Sequence, residues 1–299
     1  TEEYNKSTNT ITAGAWASGG SLNAGRRDLG GFGTATAAAA ISGDSDPGYS
    51  GNVEEYNGSS WSEVTNIGTS RKEMGSAGSQ TAGVVYGGYN GSNLNATEEY
   101  DGTNWTSGGN LSTARRTYAG LGIQTAALAY GGYTSTASTA SEEYNGSSWT
   151  SGGNMNTGRY GHAGCGIQTA GLAFGGETPT PTYIRKSEEY NGTAWSEGND
   201  MNRISTVTAG DGQQTDALCF TGYNTADQSD NEGYDGTSWS TRPSLAQARR
   251  SGAASHDGGS ASGSSALAFG GAPVPSRGTV TEEFTGETTA ANIADFTTS

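Results

Sequence analysis

Histidine, cysteine, paired carboxylates and arginine are the side chains best able to do chemistry at neutral pH, and the first two are scarce here. There are two histidines, His162 and His256, and two cysteines, Cys165 and Cys219. His162 and Cys165 share the segment GHAGCG as His-x-x-Cys, which is half of a four-ligand zinc site. With no second pair beside it, the default reading is a packed histidine and a small buried thiol. Two acidic segments, SGDSDPGYSG (42 to 51) and NTADQSDNEGYDG (224 to 236), offer oxygen ligands to calcium. Neither has EF-hand spacing, so solvated acidic loops are the better reading. No glycine-rich stretch opens a helix, so the glycines are not phosphate cradles. No metal or cofactor is expected.

The acids and arginines, by contrast, recur in register. EEYDGTNW (98 to 105) returns as EEYNGSSW at 54 and at 142, EEYNGTAW at 188 and EGYDGTSW at 232. Ten residues separate Trp16 from Arg26, Trp61 from Arg71, Trp105 from Arg115, Trp149 from Arg159 and Trp239 from Arg249. After Trp195 the same position holds Ser205. Adjacent strand residues point to opposite faces, so the first Glu of EEY shares a face with Tyr while the second Glu takes the other. At least one carboxylate per repeat therefore lies near a packed surface, and the recurring Arg is its expected partner, in a Glu-Arg ladder within or between repeats. An exposed, unpaired Arg115 would overturn that expectation.

What positions these residues is a repeat. The Tyr recurs at 56, 100, 144, 190 and 234, a period of 44 to 46 that points to a propeller or a solenoid. TYAGLGIQTAALAYGG (117 to 132) reads as strand, tight turn, strand, glycine pair. A variable segment follows, and then EEY and WTSGG are joined by the hairpin signal Asn-Gly. Four short antiparallel strands make a propeller blade, and the helical periodicity of a solenoid is missing. Length alone permits one domain or two; the register assigns 1–299 to a single ring. Inner strand pairs end near 43, 88, 132, 176, 222 and 271, the last with five extra residues within SHDGGSASGSS. Six pairs and six Trp strands give a six-bladed, all-β propeller with one surplus third strand. Either EEY at 2 to 4 or EEF at 282 to 284 closes the last blade beside Trp16, and the other, within 1–10 or 282–299, is a terminal arm. In both cases the chain ends share a blade, which removes an exposed sheet edge.

The glycine pair, the Tyr, the Trp and the polar segment ending in Arg, clearest in YNGSSWTSGGNMNTGRYGHAGCGIQTAGLAFGG (144 to 176), resemble the kelch repeat. Tyr to Trp is five residues where kelch units commonly allow one more, and the strands are rich in Ala and Gly. Kelch similarity implies a β-propeller and leaves activity open. Copper-radical oxidases on kelch propellers need two His, two Tyr and a cross-linked Cys, a set not identified here. The Asp-box of six-bladed sialidases is only loosely echoed by DGTNW. The chain is accordingly read as non-enzymatic. Its closely copied Ala, Gly, Ser and Thr-rich repeats also resemble repeat proteins of marine bacteriophages, which implies a virion or extracellular surface location in a tail fibre or on a capsid exterior.

Composition narrows the partners. A formal charge of −15 disfavours nucleic acid and anionic lipid. No apolar run is long enough for a membrane span, and the opening TEEYNKSTNT, which lacks Met, does not read as a signal peptide. The expected partners are other structural proteins, a second copy, or a host glycan or receptor; a soluble glycan-binding lectin is the alternative. The turns within strand pairs are nearly uniform, whereas the loops from second to third strand diverge: DSDPGYSGNV, YNGSNLNAT, YTSTASTAS, ETPTPTYIRKS, YNTADQSDN and APVPSRGTV. Diversity on one rim suggests a recognition face, with loop drift as the competing reading. Tyr49, Tyr89, Tyr133, Tyr183, Tyr223, Arg185 and Lys186 are the groups there best able to stack on a sugar or anchor a protein.

Overall fold

The computed structural model describes residues 8–116, 119–180, 182–256, 258, 263–271 and 277–292. Six four-stranded antiparallel sheets form the six blades of a β-propeller. Blade 1 is Gly30–Thr34, Ala37–Ile41, Val53–Tyr56 and Trp61–Val64, in that spatial order. Blade 2 opens at Gly75–Ser79, blade 3 at Leu121–Ile123, blade 4 at Ala163–Ile167 and blade 5 at Ala209–Gln213. The sixth combines Ala253–Ala254, Ser265–Phe269 and Thr281–Thr285 with Ala15–Ser18 from the other end of the chain.

Ring closure therefore falls to EEF, with Trp16 opposite Phe284. The rival EEY at 2 to 4 lies outside the described residues. The two chain ends continue beyond the blade as a two-stranded ribbon, Thr8–Thr12 against Thr288–Asn292.

The first strands of the blades face the axis and pack on one another around the ring. They are built from Gly, Ala and Ser because six strands converge there, and the axial cavity they leave is about 40 Å³. At roughly 10–15 Å³ per water position, that holds only a few waters. Among the described residues its wall is Ala, Gly, Ser, Thr, Leu and Met, with His256 as the one titratable side chain. Of the sixth unit's longer turn, two described residues lie on the turn face: His256, whose carbonyl accepts from the Gly33 amide, and Gly258, which rests against Gly122 and Ile123 of the opposite blade.

The glycine pairs end each second strand in the left-handed region, as at Gly131 (φ 60°) and Gly132 (φ 91°). Where the first glycine is replaced, Ser42 (φ 54°) and Thr221 (φ 61°) keep that conformation at a steric cost. Ser42 offsets it by donating from its hydroxyl to the Arg71 carbonyl, 2.7 Å away in the next unit.

Candidate functional site

The repeated acids and aromatics are spent on the seams between blades. Trp61, Trp149, Trp195 and Trp239 each lie between the Tyr of their own blade and an aromatic ring of the blade before. Trp149, for example, sits 4.8 Å from Tyr144 and 4.6 Å from Tyr86. Trp16 does the same with Phe284 and Phe220, at 5.2 and 5.0 Å. Trp105 stacks on Tyr100 at 4.8 Å and packs in a cluster with Ile41. Several indoles also donate backwards across the seam, Trp61 to Thr281 and Trp195 to Ser141.

The second Glu of EEY faces the same seams. Tyr56 donates to Glu283, Tyr100 to Glu55, Tyr144 to Glu99, Tyr190 to Glu143 and Tyr234 to Glu189, each from one blade to the one before. Burial and then the carboxylate bond push Tyr56, Tyr144 and Tyr190 up to about 12. One rung is missing, between blades 5 and 6, and both its halves are changed. Gly233 stands where the Glu would be and Phe284 where the Tyr hydroxyl would be. A hydroxyl there would have no carboxylate, and a carboxylate no hydroxyl, so the two departures satisfy one another.

The first Glu and the Arg form the expected ladder, and they form it within each unit. Arg26 pairs with Glu54 at 2.7 Å, Arg115 with Glu142 at 2.9 Å and Arg249 with Glu282 at 3.4 Å; Arg71 pairs with Glu98 and Arg159 with Glu188. All five arginines are fully buried or nearly so. Each guanidinium also donates to carbonyls at the foot of the loop between second and third strands. Arg115 reaches Gly131 and Ala140, and Arg71 reaches Gly87 and Ala96. The partner Glu accepts from the linker entering the blade, as Glu142 does from the Ser112 amide at 2.7 Å. One ion pair thus fastens the roots of both connections on that face. Burial lowers these arginines while the glutamates raise them, and Arg249 is brought down to about 10.

In blade 5, where Ser205 holds the Arg position, Arg203 takes over from two residues upstream. It donates to the Thr221 and Cys219 carbonyls and lies 3.6 Å from Glu232. The glutamines of the uniform QTA turns have a role that spacing does not reveal. Gln80, Gln124, Gln168 and Gln214 each donate to two carbonyls of the preceding blade, as Gln124 does to Gly83 and Tyr100.

His162 follows Arg159 by three residues, the place occupied by Leu29 and Met74 in other units. It is fully buried with its ring 5.1 Å from Tyr130, and burial pushes it down to about 3. Cys165 is buried on the Ala163–Ile167 strand, and its thiol is pushed well up. Among the described residues no group of three or more His, Cys, Asp or Glu is placed to hold a metal ion. In the acidic loops, Asp44 is held by Arg27 at 2.8 Å and Arg277 at 3.1 Å, and Asp227 by Arg250 at 3.1 Å.

The rim formed by the loops between second and third strands carries the remaining aromatics. Several of these loops are ordered hairpins, Asp44–Ser45 with Gly48–Tyr49, Glu177–Thr178 with Thr182–Tyr183, and Tyr223–Asn224 with Ala226–Asp227. They bring the tyrosines together in pairs: Tyr49 with Tyr89 at 6.2 Å, and Tyr183 with Tyr223 at 5.9 Å. Tyr133 pairs at 5.2 Å with Tyr160, which the sequence reading missed. Arg116 lies over both Tyr89 and Tyr133, at 5.1 and 4.6 Å, and Arg250 over Tyr223 at 4.0 Å. Arg185 and Lys186 are not part of this set. They pair with Asp200 at 3.2 Å and Glu197 at 2.9 Å, acids on the outer side of blade 4.

Fold and side chains together define the class: a six-bladed β-propeller whose copied residues serve its seams and whose divergent ones gather on one rim. Comparison with protein-family models gives no match, and comparison with curated proteins gives none either.

Proposed function

We propose that this kelch-like propeller is a non-enzymatic surface interaction module, a phage virion component on a tail fibre or capsid exterior. It would contact other structural proteins or a host receptor through the loop rim. One observation carries the reading. The residues copied from unit to unit are consumed in ion pairs, indole contacts and carbonyl caps, while divergent residues gather as stacked Tyr and Arg on a single face. Packing accounts for the first set; in the second, the arginines hold acids, Arg116 with Glu73 and Arg250 with Asp227, while the tyrosines stay partly exposed on the rim. Tyr and Arg are the side chains that dominate interface energetics. Hairpin-braced loops with stapled roots also limit the ordering cost of docking. A soluble glycan-binding propeller is the second reading, favoured by the concave, tyrosine-lined part of the rim.

Antibody fragments against the purified chain test the first reading. They should decorate the exterior of intact source particles, and fragments directed to the Tyr89 and Tyr133 face should block attachment where those directed to the opposite face do not. Recovery of the chain only as free protein, with no label on particles, would refute it.

A further inference from the structure

The position after the buried arginine is the place where the copying fails. Around the ring it reads Arg27, Lys72, Arg116, Tyr160, Thr206 and Arg250. The next position, where described, reads Asp28, Glu73, Gly161, Val207 and Ser251. These last five residues share one task. Each has positive φ, and their backbones are joined head to tail around the mouth of the axis. Val207 donates to Gly161, Ser251 to Val207, Asp28 to Ser251 and Glu73 to Asp28, at 2.6, 3.1, 2.7 and 2.9 Å. The backbone collar thus repeats, whereas the side chains on it do not.

Their difference divides the mouth in two. On the side of blades 1 to 3 the charges close on themselves: Lys72 meets Glu73 at 2.9 Å, Arg116 meets Glu73 at 3.5 Å, and both Arg27 and Lys72 approach Asp28 at 3.8 Å. On the side of blades 4 to 6 the collar carries Gly161, Val207 and Ser251, and above them a cavity of about 370 Å³ opens to solvent. Tyr160, Tyr183 and Tyr223 wall it, and the charged groups that line it are Arg27, Asp28, Glu177 and Arg250.

We infer that this cavity binds a neutral saccharide, one or two sugar units at the end of a glycan; the inference rests on the reading of the rim as a recognition face. Three points support that class of ligand. Its size falls at the small end of ligand pockets, roughly 300–1,000 Å³, too confined for a folded partner and ample for a sugar. Its walls are tyrosines, which combine apolar ring surface for the C–H side of a pyranose with a hydroxyl for its edge, although one face of Tyr223 is already covered by Arg250 at 4.0 Å. Its cations are already committed, Arg250 to Asp227 at 3.1 Å and Arg27 to Asp44 at 2.8 Å. A phosphate or sialic acid would have to break those pairs, whereas a neutral polyol needs only directional hydrogen bonds. Tyr183 and Tyr223 stand on braced hairpins, so little ordering is required on binding.

Saturation-transfer NMR on the full chain tests this, with methyl glycosides of glucose, galactose and mannose, N-acetylglucosamine and N-acetylgalactosamine, their neutral disaccharides, and sialyllactose as the acidic probe. At least one neutral probe should receive saturation, with a dissociation constant on the order of 1 mM or below. Tyr183→Ala and Tyr223→Ala should each weaken it about tenfold or more, the size of one interface hot spot. Tyr223→Phe should retain part of the affinity, and Ile167→Ser, on the opposite face, should retain all of it. No transfer to any neutral probe, transfer that survives both alanine variants, or transfer to sialyllactose alone would each overturn the assignment. Rim variants that abolish attachment of particles while no saccharide binds would overturn it too, and would leave the interaction-module reading standing with a protein as partner.

Discussion

Replacing Arg115 with alanine should unfold more of the molecule than the loss of one surface charge would. In the native chain its guanidinium is fully buried, paired with Glu142 at 2.9 Å and bonded to the Gly131 and Ala140 carbonyls at 3.4 and 2.9 Å. Removing it leaves the buried Glu142 carboxylate without its counter-charge, takes the guanidinium donor from the Gly131 carbonyl, and leaves the Ala140 carbonyl with the Gly131 amide alone. Breaking a buried ion pair from one side costs about 3–5 kcal/mol, against about 0–1 kcal/mol for an exposed pair. At about 2 °C per kcal/mol for a chain of this size, the melting temperature should fall by roughly 6–10 °C. Urea titration followed by tryptophan fluorescence reports on it directly, because the indoles sit in the seams. The double variant Arg115→Met with Glu142→Gln should cost clearly less than the two single variants added, because no charge is then left buried. Hydrogen exchange should also quicken at the Gly131 amide, which bonds the Ala140 carbonyl across the loop root. A loss below about 1 kcal/mol for Arg115→Ala, with additive singles, would refute the stapling role.

The broken rung makes a complementary prediction: Phe284→Tyr alone should destabilise by about 1–3 kcal/mol through an unsatisfied hydroxyl. Adding Gly233→Glu should recover much of that, once Arg242, which lies 2.4 Å from the required Cβ position, moves aside. The seam tyrosines set the alkaline limit. Tyr56, Tyr144 and Tyr190 titrate near 12 when folded and near 10 when unfolded, so stability present below pH 10 should decline as the pH rises towards 12. Tyrosinate absorbance against pH, with Glu99→Gln shifting one titration downward, checks this. His162 works in the opposite direction. It titrates near 3 when folded and 6.5 when unfolded, so it favours the native state fully above pH 6.5 and progressively less as the pH falls through that window. His162→Leu, the residue found at the matching Leu29, should flatten the acid limb of a urea-midpoint profile.

The fold was legible because period and register are properties of sequence spacing, and a fixed interval from Trp to Arg leaves few ways to arrange four strands. The pairing of a recurring Glu with a recurring Arg was legible from charge alone, since a buried carboxylate needs a cation. Which connections the pair fastens was not, because that depends on where a guanidinium reaches across a loop. Arg203 escaped notice for the same reason: it arrives at the site by side-chain length from a position out of register. The Gln caps were hidden in turns that looked uniform for local reasons. On the rim, the positions of Tyr49, Tyr89, Tyr133, Tyr183 and Tyr223 could be read from the loops. Tyr160 could not, because it sits outside them, at the position after a buried arginine where other units carry Arg, Lys or Thr. Arg185 and Lys186 looked free because Glu197 and Asp200, which hold them, belong to a later strand and the loop that follows it.

The closing blade has a consequence for how the chain is made. Ala15–Ser18 precedes the five other blades along the chain, yet its sheet partner among the described residues, Thr281–Thr285, follows them all. The ribosome releases domains from the N-terminus onward, but here Ala15–Ser18 must wait for its sheet partner until all five intervening blades have been made. A ribosome that stalls after the fifth blade therefore leaves an open arc with two raw flanks, a species prone to pairing with its own kind. The circle cannot close before Thr281–Thr285 has been made, so a product that stops short of that strand cannot pass for a slightly shorter version of the ring.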